Sequence, residues 1–163
     1  MKRRGVLLLT SIVVMVVVGA GVALAASITC SGGNCLGTNQ ADTITGSAQT
    51  DYITAASGSD LVNAKGGADE VYGDRGNDTL NGQGGNDYVE AGRGENTARG
   101  NGGNFDVVNV VDGDGNDFAS GGDGTDDLCI VDSSSETQFA FDQGSDAVGD
   151  SCEIVAFATV VEN

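Results

Sequence analysis

The chain has 163 residues, with 7 Lys and Arg against 24 Asp and Glu, no His and no Pro, for a formal charge of −17. Negative charge on this scale repels nucleic-acid phosphates and anionic lipid surfaces and argues against both as partners. Without histidine, a Ser-His-Asp triad and a histidine zinc site are excluded.

Met1, Lys2, Arg3 and Arg4 open the chain with positive charge, an apolar run follows over 6–24, and small residues close it at Ala23, Ala25 and Ala26. That order predicts a secretory signal peptide over 1–25, cut after Ala25. The alternative is an uncleaved anchor, because the run approaches the ~20 residues that span a bilayer. Ser27, Ile28 and Thr29 before Cys30 are too bulky and polar for a lipoprotein signal. Cleavage would remove three basic residues and leave the mature chain near −20, with no membrane contact expected. Such acidity alone would suit a disordered tail. Residues 26–36 hold too few apolar side chains for a core of their own and are expected to form an N-terminal cap. Four cysteines remain behind the signal, Cys30, Cys35, Cys129 and Cys152, which reads as two disulfides with three connectivities open.

From Gly37 to Cys129 an aspartate returns every nine residues. Asp42, Asp51, Asp60, Asp69, Asp78 and Asp87 hold the step, and Asn96 takes the next place. Two residues after each stands an apolar or small one: Ile44, Ile53, Val62, Val71, Leu80, Val89 and Ala98. Two residues before, Gly58, Gly67, Gly76, Gly85 and Gly94 recur. The step breaks at Asn104, Phe105 and Asp106, and resumes at Asp117 and Asp126 with Ala119 and Leu128 after them. In-register apolar positions are what a solvated tail would not need. Each unit divides into a six-residue turn rich in Gly, Asn, Asp and Ser and a strand of about three residues with one inward side chain. Strands this short must pair with neighbouring units.

Two windows, 73–81 and 121–129, are the fullest matches to the pattern G-G-x-G-x-D-x-U-x. On these residues the chain resembles the hemolysin-type calcium-binding, or RTX, repeat proteins, from Gly37 to Cys129. The resemblance implies an all-β fold, a right-handed parallel β-roll (a β-solenoid) in which two units make one coil, with Ca²⁺ as the ion. It implies Asp60, Asp69, Asp78, Asp87, Asp117 and Asp126 as the best ligands. Asp42 and Asp51 are weaker, because Gln40 and Gln49 replace the fourth-place glycine of their turns. Asp74, Asp114 and Asp123 sit in second or third places and either add oxygen or face solvent. Asp106 is uncertain, since Phe105 competes for its place. Asn96, with Arg93 and Arg99 beside it, is expected to leave a gap in one calcium row. Ala55, Ala64 and Ala91 depart from the first-place glycine.

Stacked coils would separate the cysteine pairs by ~24 Å at ~4.8 Å per coil, whereas a disulfide needs its Cα atoms within ~7 Å. Cys30–Cys35 and Cys129–Cys152 are therefore the expected pairs. The irregular segment 100–111 is expected as a bulged coil with a longer strand that continues the roll. The repeat ends after Cys129, and 130–163 is expected as a C-terminal cap with strands over 137–141 and 152–161.

The same aspartates could serve a metal-free solenoid as turn formers. Against this, stacked carboxylates repel and need a counterion. An EF-hand beginning at Asp112 fails because Asp117 stands where that loop needs glycine. Mg²⁺ holds its waters and demands tight octahedral geometry. No catalytic constellation stands apart from the repeat, so the chain is read as no enzyme. The leading function is a secreted, non-catalytic calcium-binding roll that folds on meeting Ca²⁺ outside the cell. The alternatives are a cell-surface adhesin or structural module, and an accessory tail of a secreted hydrolase. A protein or glycan partner is not identified by the sequence.

Overall fold

One inward apolar residue between turn-forming stretches cannot make a core unless successive units stack, and they do. The computed structural model describes residues 25–113, 117–132 and, as backbone, 154–158. The expected signal peptide apart from Ala25, Asp114, Cys152 and the strand expected over 137–141 lie outside the described residues.

The chain forms β1 (Ser27–Thr29), β2 (Gly33–Leu36), β3 (Thr43–Thr45), β4 (Asp51–Thr54), β5 (Leu61–Asn63), β6 (Glu70–Tyr72), β7 (Thr79–Gly84), β8 (Tyr88–Glu90), β9 (Thr97–Gly102), β10 (Val107–Asn109), β11 (Phe118–Asp123), β12 (Leu128–Asp132) and β13 (Ile154–Ala158). There is no helix among the described residues. The odd strands β1 to β11 make a 6-stranded sheet, and the even strands with β13 make a 7-stranded sheet. Neighbours pair in parallel, Thr43 with Leu61, Leu61 with Thr79, and Thr79 with Thr97. The result is a parallel β-solenoid climbing two strands per coil. Most strands are as short as expected, but β7, β9 and β11 run on to six residues around the corner into the next turn.

Inward side chains from the two sheets meet in one narrow core. Ile44, Val62, Leu80 and Ala98 come from the odd sheet, and Ile53, Val71, Val89 and Val108 from the even sheet, all fully buried. Each large one contributes roughly 1.5–3 kcal/mol on burial, and no single coil holds enough of them to stand alone. Ala55, Ala64, Ala91 and Val110, where the pattern has its first glycine, are also buried and fill the corners of this core. The fourth-place glycines are required by stacking: a Cβ on Gly76, at φ +137°, would lie 1.4 Å from the Gly58 carbonyl oxygen.

The segment after Gly100 continues the roll as expected, but its strand is not longer. β10 has three residues, and the extra residue sits in the turn, where Phe105 bulges out at φ +61°. The next irregularity corrects the register. Asp126 bulges out in the same way at φ +64° and is exposed, while Asp127 and Cys129 are buried where Asp126 and Leu128 were expected. A ten-residue unit fits because the added residue takes a left-handed turn conformation and leaves the strand pairing intact.

Cys30 and Cys35 form the expected disulfide across the β1–β2 turn, with Cα atoms 5.7 Å apart. Cys129 is also disulfide-bonded, and its expected partner Cys152 is outside the described residues. β13, within the strand expected over 152–161, pairs with β12 in parallel at the edge of the even sheet.

Candidate metal-binding turns

Every sixth-place residue is buried at the start of its strand or just before it, and together they form two rows up the roll. One row holds Asp42, Asp60, Asp78, Asn96 and Asp117; the other holds Asp51, Asp69, Asp87, Asp106 and Asp127. Within a row, each side chain after the first accepts a hydrogen bond from the backbone N–H of the member one coil earlier. The Asp42 N–H donates to Asp60 Oδ1 at 2.7 Å and the Asp60 N–H to Asp78 Oδ1 at 2.8 Å. In the other row the N–H groups of Asp51, Asp69, Asp87 and Asp106 donate to Asp69, Asp87, Asp106 and Asp127 at 2.7–2.9 Å. One carboxylate oxygen is thus a rung of the ladder.

The second oxygen is different. In Asp60, Asp69, Asp78, Asp87 and Asp106 the Oδ2 atom is buried without a hydrogen-bond partner. An unmatched buried carboxylate oxygen costs several kcal/mol as an order of magnitude, and the group responds by holding its proton. Burial pushes the Asp87 carboxyl up to about 7, opposed by its backbone hydrogen bond and reinforced by the charges of Asp106 and Asp69. Burial likewise lifts Asp78 to about 6, with Asp60 and Asp74 adding charge, and Asp106 to about 6, with Asp127 adding charge. Asp60 and Asp69 are raised by the same cause.

The family model of the RTX calcium-binding nonapeptide repeat matches four stretches, residues 36–71, 63–98, 82–104 and 109–129, together more than half of the chain. The chain belongs to this RTX repeat family. No curated protein and no solved structure matches it. Calcium is the ion of RTX repeats, and the RTX turns of this chain fit it. Oxygen is the only donor element in the rows, and each bare Oδ2 is an unsatisfied anionic acceptor. Among the described residues no three ligating side chains converge, so an ion here would draw its other oxygens from backbone carbonyls, which suits calcium's demand for six to eight.

Two turns of the rows, the first and that of Asn96, are closed by the chain itself, and the second is closed in part. In the first, Asp42 Oδ2 accepts from the Thr38 N–H at 2.6 Å and the Thr38 hydroxyl at 2.9 Å, and its Oδ1 accepts from the Ala26 N–H at 3.0 Å. In the second, the Ser47 N–H donates to Asp51 Oδ2 at 2.7 Å, and Oδ1 is left bare. The second-place residues of later turns, Ala56, Lys65, Asp74, Gln83, Gly92 and Asn101, all have positive φ, which Thr38 and Ser47 do not. Gln40 and Gln49 mark this other turn type. In the turn of Asn96, the side-chain N–H₂ donates to the carbonyls of Gly92 and Gly94, each at 3.1 Å.

Of the residues singled out from the sequence, Asp42, Asp51, Asp60, Asp69, Asp78, Asp87 and Asp117 stand in the rows. Asp126 does not; Asp127 holds that place. Asp123 is exposed at the end of β11 and Asp74 is exposed in its turn, outside the rows. Asp106, left open by the sequence, is a full member. Asp127 was missed, and the available signal was Cys129 two residues on, paired with Val108 in the same sheet.

Proposed function

We propose that this protein is a secreted, non-catalytic calcium-binding β-roll that completes its fold when Ca²⁺ binds outside the cell. The observation that carries the reading is the set of buried, unpartnered Oδ2 atoms at Asp60, Asp69, Asp78, Asp87 and Asp106. In calcium's absence these carboxylates oppose their own burial; calcium would supply the positive charge they lack, so binding and folding are linked. Asp117 and Asp127 hold the same places in the rows, while Asp42 and Asp51 contribute less because Thr38 and Ser47 already serve them. Extracellular calcium modules bind with Kd near ~10⁻⁴–10⁻³ M, which keeps such a chain unfolded in the cytosol and folds it outside. The Cys30–Cys35 disulfide suits an oxidising compartment, and the expected N-terminal signal provides the route. No group in the rows is arranged for acid–base or nucleophilic chemistry beyond holding an ion.

Isothermal calorimetry of the mature, oxidised protein with Ca²⁺, and with Mg²⁺ as control, tests the binding half. Several calcium ions per chain with submillimolar to millimolar affinity and no magnesium response are expected; no heat with calcium would sink the reading. N-terminal sequencing of the exported protein tests the other half, with a start at Ala26 expected and an intact Met1 contradicting secretion by cleavage.

A further inference from the structure

Asn96 keeps every backbone feature of the carboxylate turns. It is 2% exposed, its Oδ1 accepts the Asp78 N–H at 2.8 Å, and its own N–H donates to Asp117 Oδ1 at 2.6 Å. The turn before it has the same backbone hand as the Asp78 turn: Gly92 and Gly94 at φ +81° and +123° match Asp74 and Gly76 at +67° and +137°. At the sixth place the two turns therefore differ at one side-chain atom; elsewhere Gly92 stands for Asp74 and Glu95 for Asn77. Where Asp78 presents a bare Oδ2, Asn96 presents an N–H₂ whose protons meet the Gly92 and Gly94 carbonyls.

We infer that the Asn96 carboxamide is a built-in substitute for a cation: it closes its own turn, which takes no calcium. The inference rests on the calcium reading above and adds to it the chain's own choice of where ions go. An amide N–H₂ carries partial positive charge and two directed donors, enough to satisfy two carbonyls without an ion. A cation brought to the same carbonyls would face those protons, and Asn96 has no charge to offset the loss. The row of Asp42, Asp60, Asp78, Asn96 and Asp117 is thereby interrupted between Asp78 and Asp117. The opposite row, Asp51, Asp69, Asp87, Asp106 and Asp127, carries a carboxylate at every place. The two sides of the roll thus load calcium unequally, and the middle coil is pinned on one side by protein donors alone.

Asn96→Asp tests this by exchanging the one atom. Native mass spectrometry at saturating calcium should count one more Ca²⁺ per chain in the variant than in the wild type. An equal count in a wild type that binds calcium overturns this inference and leaves the calcium reading standing; a wild type that binds none overturns both. A variant that stays unfolded at saturating calcium also overturns it, because carboxylates at the other places fold in this backbone. Independently of the variant, the side-chain amide protons of Asn96 in the calcium-loaded wild type should exchange with solvent at least tenfold more slowly than those of exposed Asn39. Equal rates would contradict the closed turn.

Discussion

The first coil and the coils above it bury the same residue at the same place and satisfy it by different means. Around Asp42 the chain supplies a backbone N–H and a hydroxyl from Thr38 and an N–H from Ala26, and both carboxylate oxygens are matched. Around Asp78 and Asp87 the turn changes hand, its second residue moves to positive φ, and one oxygen is left bare. The difference teaches that a nonapeptide turn has two stable designs. One closes itself with the chain's own donors, mostly backbone N–H groups; the other leaves a hole of the right charge for an ion. Gln40 and Gln49 belong with the first design, Gly58 through Gly85 with the second.

The largest expected break in that comparison comes from the fourth place. Gly76→Ala puts a Cβ 1.4 Å from the Gly58 carbonyl oxygen at an unfavourable φ, and should cost more than about 4 kcal/mol or abolish folding even in calcium. Gln40→Gly, in the first turn, should cost no more than about 1 kcal/mol from added backbone freedom. Chemical denaturation in calcium measures both, and similar losses would erase the distinction between the two turn types.

Next in size is the ion itself. Asp78→Asn copies the Asn96 turn and should bind one Ca²⁺ fewer by native mass spectrometry, with a higher calcium midpoint for folding. Asp42→Asn should leave the calcium count unchanged. If Asp42→Asn loses an ion as readily, the first turn is not self-closed.

Acidity sharpens the contrast further. The Asp87 carboxyl stands at about 7 and those of Asp78 and Asp106 at about 6 in the metal-free fold, against roughly 4 for an unperturbed carboxylate. Because the folded pKa is the higher one, the folded state binds more protons in this window and its stability falls as pH rises. In chelator the chain should therefore show more β signal near pH 5 than near pH 8. Calcium affinity should run the opposite way, weakening as protons compete between about pH 7 and 5. A β signal in chelator that rises with pH would contradict the bare-carboxylate picture. The smallest effect belongs to Thr38→Val, which removes the hydroxyl bonds to Asp42 and the one accepted from the Gln40 N–H and should cost about 1 kcal/mol with no change in bound calcium.

The roll from Gly37 to Ala98 was legible in the sequence because its period is covalent: every nine residues the chain returns to a core position, and Ile44, Ile53, Val62 and Leu80 announce it. The rows of aspartates followed from the same count. Reading failed where one residue was added. Asp126 and Asp127 are adjacent, and Leu128 is a better-looking core residue than Cys129, so counting alone chose the wrong pair. Strand register chose the other, since Val108 pairs with Cys129 and Asp127 reaches the Asp106 N–H at 2.9 Å. The closed turns were visible only as departures. That Thr38 donates to Asp42, or that Asn96 turns its amide onto Gly92 and Gly94, depends on side-chain direction, which no spacing encodes. Ala55, Ala64 and Ala91 read as lost glycines and prove to be corner pieces of the core.

The central claim, that calcium supplies what the buried carboxylates lack, is tested most directly by far-ultraviolet circular dichroism of the mature, oxidised protein during a calcium titration, with magnesium as control. The account predicts a cooperative gain of β signal at submillimolar to millimolar calcium and none with magnesium. A protein fully folded in chelator at neutral pH and unmoved by calcium would contradict it, and would make the aspartate rows the turn-formers of a metal-free solenoid.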